Sequence, residues 1–498
     1  MESGSAVELK IKNIVLDRSQ LRLAPFDLEG LIDDCHPARS IWELSGSLDL
    51  KRFEVGVKTQ EGEAGRPCWP ARLLVSLWVY SYTLGIASSR AIERMMSHEP
   101  GYRWLTGDQV INHHTLSDFR VGHEEALKEL FAQFLALLET AGMVDLKTLL
   151  HDGTKMKSVA GKWSFHGRKT VEKRVREGRR VVRKFDEEAA SGEGVDARRE
   201  AARKRAAQEG LRRAEAALEK LKALEKAAAP KEREGQRVSV SEPEARKMKH
   251  PDGGWAPSYN VQVTSEPQSR MIVGVGVTTA ANDTQELMPA METVKENCGT
   301  VPERVIADNG YATRSNVEET AGQNIELIAP WKDDASREAG ACARNGIAKE
   351  FAPSRFRPQR GGKKLKCPAG KLLVIVEQKT QHGLPHNIFR AAAEDCGRCP
   401  FHQKCCGERG GPREIRRVIE SAAMKRYQAR MEQPEVKALY KKRSEIAEFP
   451  HLWTKGVKGL RRFSVRGVVK AGIEAIWMAL AYNVTQMIRL RQAQPVAA

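Results

Sequence analysis

The chain has 498 residues, with 82 Lys+Arg against 64 Asp+Glu and a formal net charge of +18. At roughly 150 residues per domain, that length predicts three or four structural units. A hydrophobic content of 41% beside 29% charged residues excludes global disorder. No run approaches the ~18 apolar residues of a membrane span, and the opening MESGSAVELK lacks the apolar core of a signal peptide. The nine cysteines read as thiols or metal ligands rather than a disulfide scaffold. The expectation is a cytoplasmic protein, not attached to a membrane, that meets an anionic partner.

Residues 10–16, KIKNIVL, are expected to form a strand, and a helix is expected around Ile41–Leu44. Pro67-Cys68-Trp69-Pro70 is a helix-start signal. The helix after it would place Leu73, Leu77, Tyr80 and Leu84 on one face and end at Gly85. Ser88–Met96 reads as a second helix, and a third opens at His114 and runs towards Ala141. Short helices joined by Gly- and Asn-containing turns suggest a helical domain over 1–145, with a helix-turn-helix-like role in binding DNA. Packing alone would also account for its apolar residues.

At Leu146 the pattern changes. LKTLLHDGTKMKS reads as a strand ending at Asp152-Gly153, and strands resume at 258–265 and 271–279 across a polar turn. A helix over about 284–297, a strand in VPERVIADNGY, a helix near 314–321 and a strand in IELIAP complete a mixed α/β layer. Between the first strand and the hairpin lie helical stretches at about 168–190 and 195–229. The first carries Val171, Val175, Val182 and Phe185, the second Leu211, Leu218, Leu221 and Leu224, and SGEG at 191–194 would turn the chain. This predicts an inserted antiparallel helical hairpin with a basic outer face. Residues 155–250 hold 28 Lys+Arg against 16 Asp+Glu, and residues 411–498 hold 18 against 7. The rest of the chain is slightly acidic. Two basic segments look like a footprint for a polyphosphate backbone, although a charged helical surface can simply be solvated.

Carboxylates at the ends of apolar elements carry the chemistry. Asp152 closes LLHDG and Asp308 closes RVIADNG, at the open edge of a sheet where ligands bind. Two such acids can share hard divalent cations that favour oxygen ligands, although Asp-Gly and Asp-Asn also mark ordinary turns. Near the carboxyl end stand Tyr440, Arg443, Glu448 and Lys455. On one helix Tyr440, Ser444 and Glu448 would share a face, and Arg443 would lie about 140° round from Glu448. Glu448 could then complete a metal site while Arg443 and Lys455 hold a phosphate. The plainer reading is a solvated helix end stopped by Pro450.

LLHDGTKMKS, EPEARKMKHPDGGWAPSYNVQV, IADNGY, the Tyr-Arg-Glu-Lys segment and GLRRFSVRGVVKAGIEAIWMALAYNV together resemble the DDE-type transposases of bacterial insertion sequences. RPCWPARLLVSLWVYSYTLGIASSRAIERMM with HHTLSDFR resembles the helical domain that precedes the catalytic core in that family. The resemblance implies a multidomain α/β fold: an RNase H-like mixed sheet flanked by helices, with an all-α N-terminal domain. The implied division is 1–145 helical, 146–160 and 250–335 catalytic, 161–249 the inserted hairpin, 336–420 a Cys-containing insertion, and 421–498 the helical end of the core. Asp152, Asp308 and Glu448 would be the triad holding two Mg²⁺ (or Mn²⁺) ions, with Arg443 and Lys455 as phosphate contacts. A widely shared form of the motif has three residues between the Arg and the Glu. Here there are four, and the strict spacing lands on Ala447; Glu445 is a nearby rival to Glu448.

The implied activity is cleavage at insertion-sequence ends and joining of the 3′-OH to target DNA. The implied partners are terminal inverted repeats and target DNA, with a homodimer forming on DNA at the nucleoid. The rivals are a transposase-derived DNA-binding protein that no longer cleaves, and a metal-dependent nuclease without strand transfer. Arg461, Arg462 and Arg466 in GLRRFSVRG could grip DNA backbone. Cys367, Cys396, Cys399 and Cys405, with Cys406 adjacent, could hold structural Zn²⁺, or be reduced cysteines on a loop, with His402 a substitute ligand. Trp163, Trp255 and Trp331 could stack on bases, though single tryptophans are usually core. His113 and His114 read as capping or packing residues.

Overall fold

The structure, a computed structural model, describes residues 27–55, 67–191, 197–331, 335–359, 361–407 and 410–493. The strand expected over 10–16 lies outside them, as does most of the turn expected at 191–194.

Pro70 starts the helix around which the amino-terminal region is built. The elements there are α1 (Pro37–Ser47), α2 (Ala71–Thr83), α3 (Ser89–Met95), α4 (Pro100–Thr106), α5 (His113–Gly122) and α6 (Glu124–Thr140). Side chains cap their first turns: Ser88 accepts from the Ala91 amide, Glu99 from Tyr102 and Asn112 from His114. Two expectations change here. The expected single face on α2 gives way to burial on every side, because α1, α4, α5 and the carboxyl-terminal helix Val468–Ala493 surround it; only Arg72 of its residues is not buried, and Leu84 beyond it is exposed. The long helix expected from His114 is two helices, broken at His123, whose φ of −127° is not helical. The 3.6-residue pattern survives that break, so periodicity alone does not reveal it.

The main sheet follows. β1 (Thr148–Lys157) leads to β2 (Phe165–His166), α7 (Arg168–Ser191), α8 (Ala197–Ala227) and β3 (Val238–Ser239), which returns to pair with β2. Val171 and Val175 of α7 pack with Ala214, Ala217 and Leu221 of α8. Arg179–Glu215 at 2.8 Å and Lys204–Asp186 at 2.7 Å link the two helices head to tail. Then come β4 (Arg246–Lys249), β5 (Trp255–Ser265), β6 (Ile272–Thr278), α9 (Leu287–Cys298), β7 (Arg304–Ile306), α10 (Arg314–Gly322) and β8 (Glu326–Ile328). The strand order is β6–β5–β1–β7–β8, with β4 also on β5. β1, β5 and β6 are antiparallel; β7 and β8 run parallel to β1.

A second lobe interrupts the chain: α11 (Ala335–Arg344), β9 (Arg357–Gln359), β10 (Lys364–Lys366), β11 (Leu372–Gln381), β12 (Leu384–Ala391), α12 (Ala393–Gly397), α13 (His402–Cys406) and β13 (Glu414–Val418). Its five strands form a separate sheet in the order β13–β12–β11–β10–β9, with its own small core. The chain then returns through α14 (Ala422–Met431), α15 (Pro434–Lys441), α16 (Arg443–Ala447), α17 (Phe449–Leu452), a π turn (Trp453–Val457) and α18 (Val468–Ala493).

α18 closes the molecule. Its apolar residues share one core with the amino-terminal helices and with β6. Buried Arg120 on α5 donates to Ala87 O and to Ser464 Oγ, each at 2.7 Å, and lies 4.0 Å from buried Glu474 on α18. Glu474 in turn accepts from the Ser464 amide at 2.9 Å and from the Ser464 hydroxyl at 2.8 Å. No described helix is long and apolar enough to cross a membrane.

Candidate active site

The parting of two strands positions Asp152. β7 pairs with β1 only from Thr148 to Leu150, while β5 pairs with it as far as Lys157. Asp152 is therefore in the middle of β1 and not at its end, which corrects the expectation. It still stands at a mouth of the sheet, because the parallel neighbour stops at Ile306, opposite Leu150. Asp308 lies two residues beyond that stop, its Oδ1 accepting from the Gly310 amide at 2.7 Å. The two acids feel each other. Burial pushes the Asp152 carboxyl up to about 6, Arg443 opposes the shift, and Asp308 adds to it.

Alternation along β1 sends Asp152 and Thr154 to one face, His151 and Gly153 to the other. On the first face Arg443 of α16 donates from Nη2 to Asp152 Oδ1 at 3.0 Å. Lys455 in the π turn donates from Nζ to Thr154 Oγ1 at 2.5 Å and to Lys155 O at 2.7 Å. Burial holds the Lys455 ammonium down at about 8. His451 stands with Nε2 3.8 Å from Asp152 Oδ2, and that nitrogen is buried without a hydrogen bond among the described residues. Burial first, then Lys455, pushes its imidazole down to about 3, so it is neutral.

The opposite face is a closed polar network. Asp283 Oδ1 accepts from Asn260 Nδ2 at 2.6 Å and from Gln262 Nε2 at 2.9 Å. That fixes the Gln262 amide, so its Oε1 accepts from Tyr311 OH at 2.6 Å and from His151 Nε2 at 2.9 Å. His151 Nδ1 is then the acceptor for the Thr264 hydroxyl at 2.9 Å. Burial keeps this imidazole neutral, down at about 4. Gly153 is required here: a Cβ on it would stand 2.6 Å from Asp283 Oδ1 and 2.8 Å from Tyr311 OH. The sequence reading missed Asp283, Gln262, Tyr311 and His451; the polar residues alternating through SYNVQVT were the available signal for Asn260 and Gln262.

Glu448 is not gathered in. It is the exposed junction between α16 and α17, and it makes no hydrogen bond or ion pair among the described residues, whereas Ala447 beside it is buried. The single helix expected to carry Tyr440 and Glu448 is divided, since α15 ends at Lys441 and α16 begins at Arg443. Pro450 does not stop the helix: it sits in the first turn of α17, where its missing N–H costs nothing. Among the described residues, no three His, Cys, Asp or Glu side chains are grouped to hold a metal ion. The donor chemistry of Asp152 and Asp308 suits a hard divalent cation, with Arg443 now occupying one carboxylate oxygen.

The arginines expected to grip DNA lie along the far end of β1. Phe463 N donates to Lys157 O at 2.9 Å, and Arg461, Arg462 and Arg466 are exposed while Phe463 and Val465 point inwards. Trp163 and Trp255 are 82% and 55% exposed, against the expectation that they are core, and each carries a lysine ammonium over its ring. Trp331 does pack against the core. Asn112, and not either histidine, caps α5, and His113 pairs with Glu93 at 2.7 Å.

Two family models match. One, described as a transposase DDE domain, covers residues 366–488; the other, a transposase domain (DUF772), covers residues 26–122. The first includes Arg443, Glu448 and Lys455; Asp152 and Asp308 fall outside both. No curated protein matches the chain. Among solved structures, a piggyBac transposase synaptic complex with hairpin DNA aligns over 93% of this chain and 76% of that one. The identity is 7% and the TM-score 0.31, too low to bear on the fold. The two matches fall on separate stretches of the chain, and together they support a DDE-type transposase.

Proposed function

We propose that this protein cleaves DNA at the ends of its mobile element and joins the freed 3′-OH to target DNA. The observation that carries this reading is that Asp152 and Asp308 stand at the mouth where β1 and β7 part, near enough for the charge of Asp308 to raise the Asp152 carboxyl, with Arg443 on Asp152 and Lys455 on Thr154 of the same strand face. Three antiparallel strands followed by two parallel ones is also the order of an RNase H-like sheet, which supports an RNase H-like catalytic core. Asp152 and Asp308 would hold Mg²⁺ or Mn²⁺, with Glu448 as the third acid. Two such ions, when bound, supply activation of the attacking oxygen and stabilisation of the leaving oxygen.

This chain's own residues position the DNA. Arg443 swings from Asp152 to the scissile phosphate as the acid becomes engaged, and Lys455 holds the adjacent phosphate while staying on Thr154. Arg461, Arg462 and Arg466 extend the backbone contacts. The amino-terminal helices and the basic faces of α7 and α8 hold the terminal repeats, and two copies pair two ends at the nucleoid. The exposed position of Glu448 favours a second reading, a DNA-binding descendant that no longer cleaves.

The test uses DNA flanking the chain's own coding sequence as donor, a plasmid as target, and Mg²⁺. Joined product from the unmodified chain, and none from Asp152→Asn or Asp308→Asn with DNA binding retained, supports the proposal. Binding without cleavage establishes the second reading, and cleavage without joining identifies a nuclease.

A further inference from the structure

The lobe between β8 and α14 is small. Its core comprises Phe351, Phe356, Leu365, Leu373, Phe389, Ala391, Cys405 and Ile415, and a sheet with so few buried side chains usually needs a staple. At one end of it lies a cavity of about 30 Å³ lined by Cys367, Cys396, Cys399, His402, Cys405 and Cys406. Five of the chain's nine cysteines line this one space.

The backbone around the sulfurs is arranged to stabilise thiolates. After Cys367 the chain turns tightly, with Gly370 at φ +88°. Gly370 N donates to Cys367 O at 2.9 Å, and Lys371 N donates to Cys367 Sγ at 3.2 Å. Arg413 N donates to Cys396 Sγ at 3.4 Å. Cys399 N donates to Cys396 O at 3.1 Å, closing the Cys-x2-Cys turn. His402 Nδ1 is buried with no hydrogen-bond partner among the described residues.

We propose that Cys367, Cys396, Cys399 and Cys405 bind one structural Zn²⁺ in this cavity. Soft sulfur donors from three separate segments suit a closed tetrahedral site. The Arg413 guanidinium and the N–H donors offset the charge of four thiolates. The sulfurs line the space without meeting at a point, so the ion draws them inwards and the lobe tightens on binding. Cys406 supports Cys396 and is not a ligand. This site stands independently of the acids on β1.

The decisive measurement uses the unmodified full-length chain, because a Cys→Ser chain that loses the lobe reports only misfolding. Elemental analysis is expected to find one zinc per chain. After stripping with a chelator, Co²⁺ titration is expected to give thiolate-to-cobalt charge-transfer absorption and tetrahedral d–d bands that saturate at one equivalent. Cys406→Ser is expected to retain both readings, and Cys399→His to retain the tetrahedral bands with weaker charge transfer. Absence of zinc together with absence of those bands overturns the proposal. So does a Cys396–Cys406 disulfide found by mass analysis of protein purified under reducing conditions.

Discussion

Arg443 donates from Nη2 to Asp152 Oδ1 at 3.0 Å, joining residues 291 positions apart in the chain. The guanidinium is 13% exposed, and its Nε has no hydrogen bond among the described residues. It also opposes the burial that lifts the Asp152 carboxyl to about 6.

Replacing Arg443 by Gln is expected to raise the Asp152 carboxyl further. Since that acid must be ionised to work, the acidic limb of the pH–activity profile moves to higher pH. At neutral pH cleavage falls by roughly 100-fold, while binding to element ends weakens only modestly. An unshifted limb, measured as cleavage rate against pH, would show that Arg443 does not act through Asp152.

Asp152 also makes a stability prediction. Its folded-state carboxyl lies above the ordinary range, so the folded protein binds the extra proton between about pH 4 and pH 6. Without metal, stability therefore falls as pH rises through that window. Asp152→Asn is expected to remove this slope from the melting temperature and to abolish cleavage in the same protein.

The identity of the third acid is open to direct comparison. Glu448→Gln is expected to abolish cleavage while Glu445→Gln retains it, both proteins binding DNA. The reverse outcome in a single-turnover cleavage assay transfers the role to Glu445.

Gly153→Ala inserts a methyl group within 3.0 Å of Asp283, Gln262 and Tyr311. β1 must shift to admit it, and a displacement near 1 Å at a reacting centre costs on the order of 100-fold in rate. Cleavage is expected to fall by that order while DNA-end binding stays unchanged.

Glu326 answers to acid in the opposite sense from Asp152. Burial raises its carboxyl, but Arg430 and Arg304 outweigh that and hold it below the ordinary range. Its contribution is present at neutral pH and is lost as pH falls below about 4.5. Melting curves of Glu326→Gln are expected to lose part of the acid dependence seen in the unmodified chain.

The strands of the main sheet were legible because LKTLLHD, SYNVQVT and MIVGVGVTT carry unbroken β patterns between turn residues. The mid-strand position of Asp152 was not, because it depends on where β7 stops, and a strand's own sequence does not record the length of its neighbour. In the second sheet β9 and β10 have three residues each, too few to show a period, whereas β11 and β12, of ten and eight residues, were long enough to be read and were missed. Arg443 and Lys455 were singled out by the resemblance to the family motif. Their partners on β1 are tertiary facts, as is the buried network from His151 to Asp283 behind it.

The seating of α18 against the first helices has a consequence for biosynthesis. Arg120 emerges from the ribosome early and remains without its buried partner until Glu474 and Ser464 follow, the last elements of the same core. Leaving one member of such a buried pair uncompensated costs about 3–5 kcal/mol, a large share of the stability of any domain. A translation product that stops inside or before α18 therefore has an unfinished amino-terminal layer, with Arg120 left uncompensated within it.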